Sequence, residues 1–314
     1  MDPAAILSSR VVLADGGIET AVVYGTDYPL PELQTVGMLD DPAGRRVLAD
    51  LWTGYLRAAD RHGLPAVVGT PTWRGGPDRL RAAGRPMADV DRLNREGVRF
   101  QRALVDDLGM GASVWVAGVL GPRGDGYDPT GAPTAEAAAD YHGSQAAALA
   151  DADFLFAVPL PAVEEAVGLC RAMAATGTAY VPSFLVDPAG RLPDGTPLAE
   201  VIVRIDADVH PAPLYFSISC VHPSVVVAAS RAAGGGVASR AAGGGWERVK
   251  ELKANGSSLP PAALNRLTHL VCDPPEQWAE AMASARAALD LVVVGGCCGT
   301  DPTHLDALAG LLTA

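Results

Sequence analysis

The sequence has no long apolar run, no basic tract and little cysteine, and each shortage excludes something. No uninterrupted apolar stretch reaches the ~18 residues that cross a bilayer, so a membrane-spanning helix is not expected. Lys and Arg together number 24 against 36 Asp and Glu, for a formal net charge of −12. Phosphate contacts require clustered cations, so nucleic acid is a poor partner for this chain. The acidic balance favours solubility. Arginine far outnumbers lysine, and asparagine is scarce; this is the composition of a high-GC genome and carries no chemistry. The opening residues MDPAAILSSRVVLADGG lack the basic n-region and long apolar h-region of a signal peptide, and a cytoplasmic protein is expected. The cysteines are five: Cys170, Cys220, Cys272, Cys297 and Cys298. An odd number in a chain of this length argues against a disulfide framework and leaves metal binding, catalysis or inert buried thiols.

What the chain does have is hydrophobic residues, 49% of the total, spread over 314 positions at a mean hydropathy of +0.17. A chain of this size buries about three-quarters of its unfolded surface. Short apolar runs recur at 11–17, 66–70, 114–121, 154–160, 178–186, 213–220, 249–257 and 289–298. Helix-period patterns lie between them, for example at 43–61, 88–108, 134–149, 162–175 and 276–288, with a last one at 302–312. Eight strand–helix alternations, with strands apolar on both faces and no Gly-rich nucleotide fingerprint, predict an α/β fold: a single (β/α)₈ TIM barrel occupying one domain, 1–314. The seventh run, VKELKANGS, is unusually polar for a barrel strand. ASRAAGGGV at 229–237 is repeated as ASRAAGGGW at 238–246. Two nine-residue copies are too few and too short for a solenoid; they read as a duplicated Gly-rich loop, a spacer or a lid.

Functional residues of such barrels sit at the C-terminal ends of the strands. Cys220 ends the sixth run; Cys297 and Cys298 end the eighth, after Gly295 and Gly296. Three thiolates could therefore converge above the barrel mouth. Soft sulfur ligands select Zn²⁺, and three protein ligands with a fourth position open is the pattern of a catalytic zinc site. Glycines before the pair would let the backbone turn sharply there. On spacing alone, inert buried thiols or a strained disulfide stay open. Cys170, in a helical pattern, and Cys272, before Asp273-Pro274, read as structural.

The motifs LADGGIET, GPRGDGY, FLVDPAGRLPDGTPL, FSISCVHPS and VVVGGCCGTDPTHL occur in order along the whole chain, and together they resemble the homocysteine S-methyltransferase family. The resemblance implies a (β/α)₈ barrel with Cys220, Cys297 and Cys298 on zinc. It implies methyl transfer to a metal-bound thiol, and an amino-acid site lined by Asp15, Gly16 and Gly17, continued by Glu19 and Thr20. A carboxylate at Asp15 can pair with a substrate ammonium.

The sequence departs from the family pattern around that pocket. Where a Glu-Thr pair is usual after the fourth strand, this chain has Val158 and Pro159. Pro71-Thr72 stands for Asn-Thr after the second, Ser219 for Asn before the strand-six cysteine, and Arg123 for an aromatic residue. Val158 cannot hold an ammonium. Glu164 and Glu165, a few residues on, read as solvated helix positions. Arg123 is a candidate for a substrate carboxylate, with an exposed surface arginine as the bland reading; His222 is a candidate second-shell partner or a plain loop histidine; Asp187 is a candidate lining residue. The chain is too short for added folate and cobalamin domains, so the expected donors are S-methylmethionine or S-adenosylmethionine. The expected acceptor is a small thiol such as homocysteine, giving methionine. A diverged enzyme acting on another thiol and a non-catalytic zinc-binding barrel are the alternatives.

Overall fold

A computed structural model describes residues 1–233, 245–264 and 267–314. Eight parallel strands close into a barrel in sequence order: β1 (Val12–Ala14), β2 (Ala66–Gly69), β3 (Val114–Leu120), β4 (Phe154–Leu160), β5 (Tyr180–Phe184), β6 (Phe216–Ser219), β7 (Val249–Ala254) and β8 (Val293–Gly296), with β8 pairing back onto β1. The connections carry α1 (Ile18–Gly25), α2 (Pro42–Arg61), α3 (Pro77–Ala82), α4 (Ala88–Asp107), α5 (Ala135–Leu149), α6 (Val163–Ala174), α7 (Leu198–Asp208), α8 (Pro223–Ala232), α9 (Pro261–Leu264), α10 (Pro275–Leu289) and α11 (Pro302–Thr313). This is the (β/α)₈ barrel that the alternation predicts. The duplicated loop falls largely outside the described residues. Among the described residues no helix is long and apolar enough to cross a membrane.

Helix starts follow local chemistry. Asp41 accepts from the Ala43 and Gly44 amides ahead of Pro42, and Asp301 forms a capping box with His304 ahead of Pro302. Both pair a side-chain cap with a proline at the first helical position.

Two apolar layers form. The larger lies between sheet and helices. The smaller fills the barrel: Val12, Ala14, Val67, Trp115, Phe154, Phe156 and Val293 point inward. Its lower end is stoppered by a short 3₁₀ helix, Pro3–Ser8, whose Ile6 is fully buried. Trp115 Nε1 donates to the Asp2 carbonyl at 3.0 Å, which fixes the stopper. Above this layer the interior turns polar. Ser183 and Ser219 share a 2.6 Å hydrogen bond, and Glu251 and Lys253 project inward from β7. The polar character of β7 is thereby explained: its apolar residues Leu252 and Ala254 face the helices, Lys250 pairs outside with Asp290, and Glu251 and Lys253 face the upper barrel.

Candidate active site

A cavity of about 530 Å³ opens at the C-terminal ends of the strands. Asp15, Gly16, Gly17, Glu19 and Thr20 line it after β1, Val158 from β4, Ser219 and Cys220 at the end of β6, and Cys297 and Cys298 after β8. That volume is ample for a small thiol beside a second small molecule.

The three cysteines meet because the neighbouring strands are in register. Cys220 N donates to the Lys253 carbonyl at 3.1 Å and Cys297 N to the Ala254 carbonyl at 2.7 Å, so both loops hang from β7. Cys220 has φ 63°, a left-handed conformation uncommon outside glycine, and this turns its thiol toward β8. Asn255 Nδ2 donates to the Cys220 carbonyl at 2.8 Å and holds that turn. Gly295 and Gly296 serve close approach rather than a sharp turn, since neither has positive φ. A Cβ on Gly296 would collide with Thr300, and one on Gly295 with Ala14. The turn after the pair is made instead by Gly299, φ 84°, whose amide donates to Thr20 Oγ1 at 3.0 Å. Gly17 is required sterically as well: a Cβ there would strike the Cys297 carbonyl.

The sulfurs of Cys220 and Cys297 lie 2.9 Å apart. Cys298 lines the cavity beside them and shifts the acidity of both. Cys297 is held well below the usual thiol range by the bonds it receives from Cys220 and Cys298, with further help from the Lys253 charge. Cys220 is pushed up as a donor in that cluster. Tyr127, half-buried, lines the cavity beside the cluster, and its phenol is pushed up by burial and by the neighbouring cysteines.

The donor set suits a soft divalent metal: three converging thiols, one of them with its acidity raised by its neighbours. Tetrahedral ligands at Zn–S ≈ 2.3 Å stand about 3.8 Å apart. The Cys220–Cys297 pair would open by roughly 0.9 Å to reach that spacing, and as the side chains stand no group among the described residues is spread to hold an ion.

Asp15 accepts from three donors. Its Oδ2 accepts from Trp52 Nε1 and from the Gly69 amide, each at 2.8 Å, and its Oδ1 accepts from Lys253 Nζ. Burial works against the Lys253 charge, but pairing with Asp15 more than offsets it and keeps the ammonium charged. Glu19 is pushed up to about 7 by burial, and so is Glu251. Tyr55 ties the two glycine loops together, donating to the Gly17 and Thr300 carbonyls.

Several residues singled out from sequence lie elsewhere. Thr72 is behind the wall, its hydroxyl donating to the Val119 carbonyl at 2.7 Å. Pro71 is buried, its carbonyl accepting from Thr35. Arg123 does not line the cavity; it pairs with Asp78 at 2.8 Å and stacks over Tyr141. Glu165 is not solvated: it is 1% exposed and accepts from the Arg123 amide and bonds His142, so a buried donor pair holds it. Glu164 is exposed and paired with Arg204, as expected. Asp187 is exposed and caps its own turn, accepting from the Ala189 and Arg191 amides, because the loop bends away from the mouth. His222 caps α8 and pairs with Asp273 at 3.0 Å without reaching the cavity. Cys170 and Cys272 do not line it.

Lys253, Trp52, Tyr127 and Asn255 are the residues sequence reasoning missed. One signal was available: Lys250 and Lys253 are the chain's two lysines, and Lys253 sits inside a strand.

A family model described as homocysteine S-methyltransferase matches residues 12–312. The chain belongs to the homocysteine S-methyltransferase family. It is a methyltransferase. Among solved structures it is similar to the metallated form of the homocysteine methyltransferase MmuM from Escherichia coli, at TM-score 0.77 and 21% identity, over 98% of this chain and 99% of that one. The oxidized form of the same protein matches at TM-score 0.76 and 22% identity, over 98% of each chain, and the apo form at 0.70 and 20%, again over 98% of each. At these identities the likeness establishes the shared barrel. Comparison with curated proteins gave no match.

Proposed function

We propose that this methyltransferase moves a methyl group from a sulfonium donor, S-methylmethionine or S-adenosylmethionine, to a small thiol such as homocysteine, with Zn²⁺ held by Cys220, Cys297 and Cys298. The observation that carries the reading is the convergence of those three thiols on one wall of the cavity. When bound, zinc would lower the pKa of the incoming thiol and present its sulfur as a thiolate.

The chain's own residues supply position and shelter. The left-handed Cys220, braced by Asn255, and the close-packed Gly17 and Gly296 loops fix the three sulfurs from three directions. Phe156 and Val158 give the wall an apolar stretch that limits water. The acceptor sulfur forms a bond to the methyl carbon as the donor's carbon–sulfonium bond breaks. The electron pair stays with the departing thioether, and the thiol proton goes to solvent. In-line alignment of the two molecules accounts for most of the acceleration such a site can give.

The direct test measures zinc per chain and then follows methionine formation from homocysteine with each donor. Protein containing about one zinc per chain that methylates no thiol would refute the proposal.

A further inference from the structure

This inference rests on the thiol-methylating reading and concerns which end of the thiol the cavity recognises. Asp15, placed to take a substrate ammonium, is already committed. A carboxylate offers about four acceptor positions. Three are filled on Asp15, by Trp52, the Gly69 amide and Lys253, and the Lys253 charge balances its own. At the end of β4 the wall is Val158, which accepts nothing through its side chain.

The cations have capacity to spare. An ammonium has three N–H donors. Lys253 uses one on Asp15, and among the described residues no other acceptor bonds its Nζ; the Phe156 ring lies beneath at 6.0 Å. Arg74 also lines the cavity. Among the described residues it has no ion-pair partner, its Nε is buried without an acceptor, and its guanidinium lies 4.7 Å over the Trp73 ring. Lys253 pairs in register with Gly295, two residues before Cys297, and lines the same cavity, so a molecule whose sulfur is at the thiol cluster can turn its head group toward it. A carboxylate there would meet a charged donor on a rigid strand, the strongest kind of hydrogen bond the wall can offer. Glu19, Glu251 and Asp125 are the competing carboxyls on the wall: any of them could hold an ammonium instead, and they predict the opposite preference.

We propose that Lys253 binds the carboxylate of the thiol substrate, and that the acceptors of this enzyme are mercapto-carboxylates for which an α-amino group is dispensable. Homocysteine qualifies through its carboxylate.

The test uses two thioethers that need no turnover: the desamino and the decarboxylated forms of methionine. Calorimetry on the full-length protein should show the acid binding roughly 10- to 100-fold more tightly than the amine, the span of one hydrogen bond to a charged group. Lys253→Met should erase that advantage and Lys253→Arg should keep most of it. An amine that binds as well as the acid, or failure of both to bind, overturns the proposal even if no variant folds. Turnover separates the two layers. If thiols are methylated and decarboxylated homocysteine is preferred over desamino-homocysteine, this inference fails alone. If the acid thioether binds best and no thiol is methylated, carboxylate recognition stands and the methyl-transfer reading fails.

Discussion

Removing Lys253 should expose how tightly the barrel interior is balanced. The Asp15 side chain is 3% exposed and that of Lys253 15%, so each is largely shielded from water when its partner is lost. Breaking a buried pair by deleting one member costs about 3–5 kcal/mol, because the other charge is stranded. Asp15 would keep two N–H donors, from Trp52 and Gly69, which places Lys253→Met near the lower figure, about 3 kcal/mol. For a chain of this size that is roughly 6 °C in Tm. Asp15→Asn combined with Lys253→Met removes both charges and leaves an amide oxygen for the two N–H groups. The double variant should therefore recover about 2 kcal/mol of the summed single losses. Urea unfolding followed by tryptophan fluorescence, in chelator so that metal does not shift the equilibrium, reads all four corners of the cycle. Single-variant losses that simply add, within about 0.5 kcal/mol, would show that the two charges are not coupled and would remove the basis of the argument.

Glu251→Gln should change the pH dependence of stability. The carboxyl rises from its ordinary 4.5 to about 7 on burial, so between those values the folded state holds a proton the unfolded state has lost, and stability falls as pH rises through that window. The shift corresponds to about 3 kcal/mol, and the variant should lose that much less between pH 4.5 and 8; equal slopes in denaturation at several pH values would contradict the assignment. Cys298→Ser should lose bound zinc and methyl transfer together, measured by metal analysis and product formation, and a variant keeping one zinc per chain would contradict the ligand set. Val158→Glu, which adds a carboxylate to the wall, should raise affinity for the decarboxylated, ammonium-bearing thioether by about 10-fold; calorimetry showing no gain would mean this position does not face the substrate amine.

The fold was legible because it is written in repetition: eight apolar runs, with the helix-period patterns ending within a residue or two of α2, α4, α5, α6, α10 and α11. The cysteine cluster was legible because strand ends in such a barrel share one rim. What was hidden depends on pairings across the barrel. Nothing in LADGG shows that Asp15 meets a lysine more than two hundred positions later, or that Trp52, on an ordinary amphipathic helix, donates to it. The polarity of VKELKANGS looked like a weakness of the strand; it comes partly from Glu251 and Lys253, which point inward and line the cavity. Arg123 and Glu165 misled for a related reason. Both carry charge near strand ends, but Arg123 is spent on Asp78 and Glu165 on His142, contacts that only the packing of α3, α5 and α6 creates.

The stopper formed by Pro3–Ser8 has a consequence for access. With Ile6, Trp115 and Phe154 filling the lower barrel, the described residues close the floor of the cavity. Whatever seats its sulfur at the cysteines enters over the rim formed by the C-terminal ends of the strands, and product leaves over the same rim.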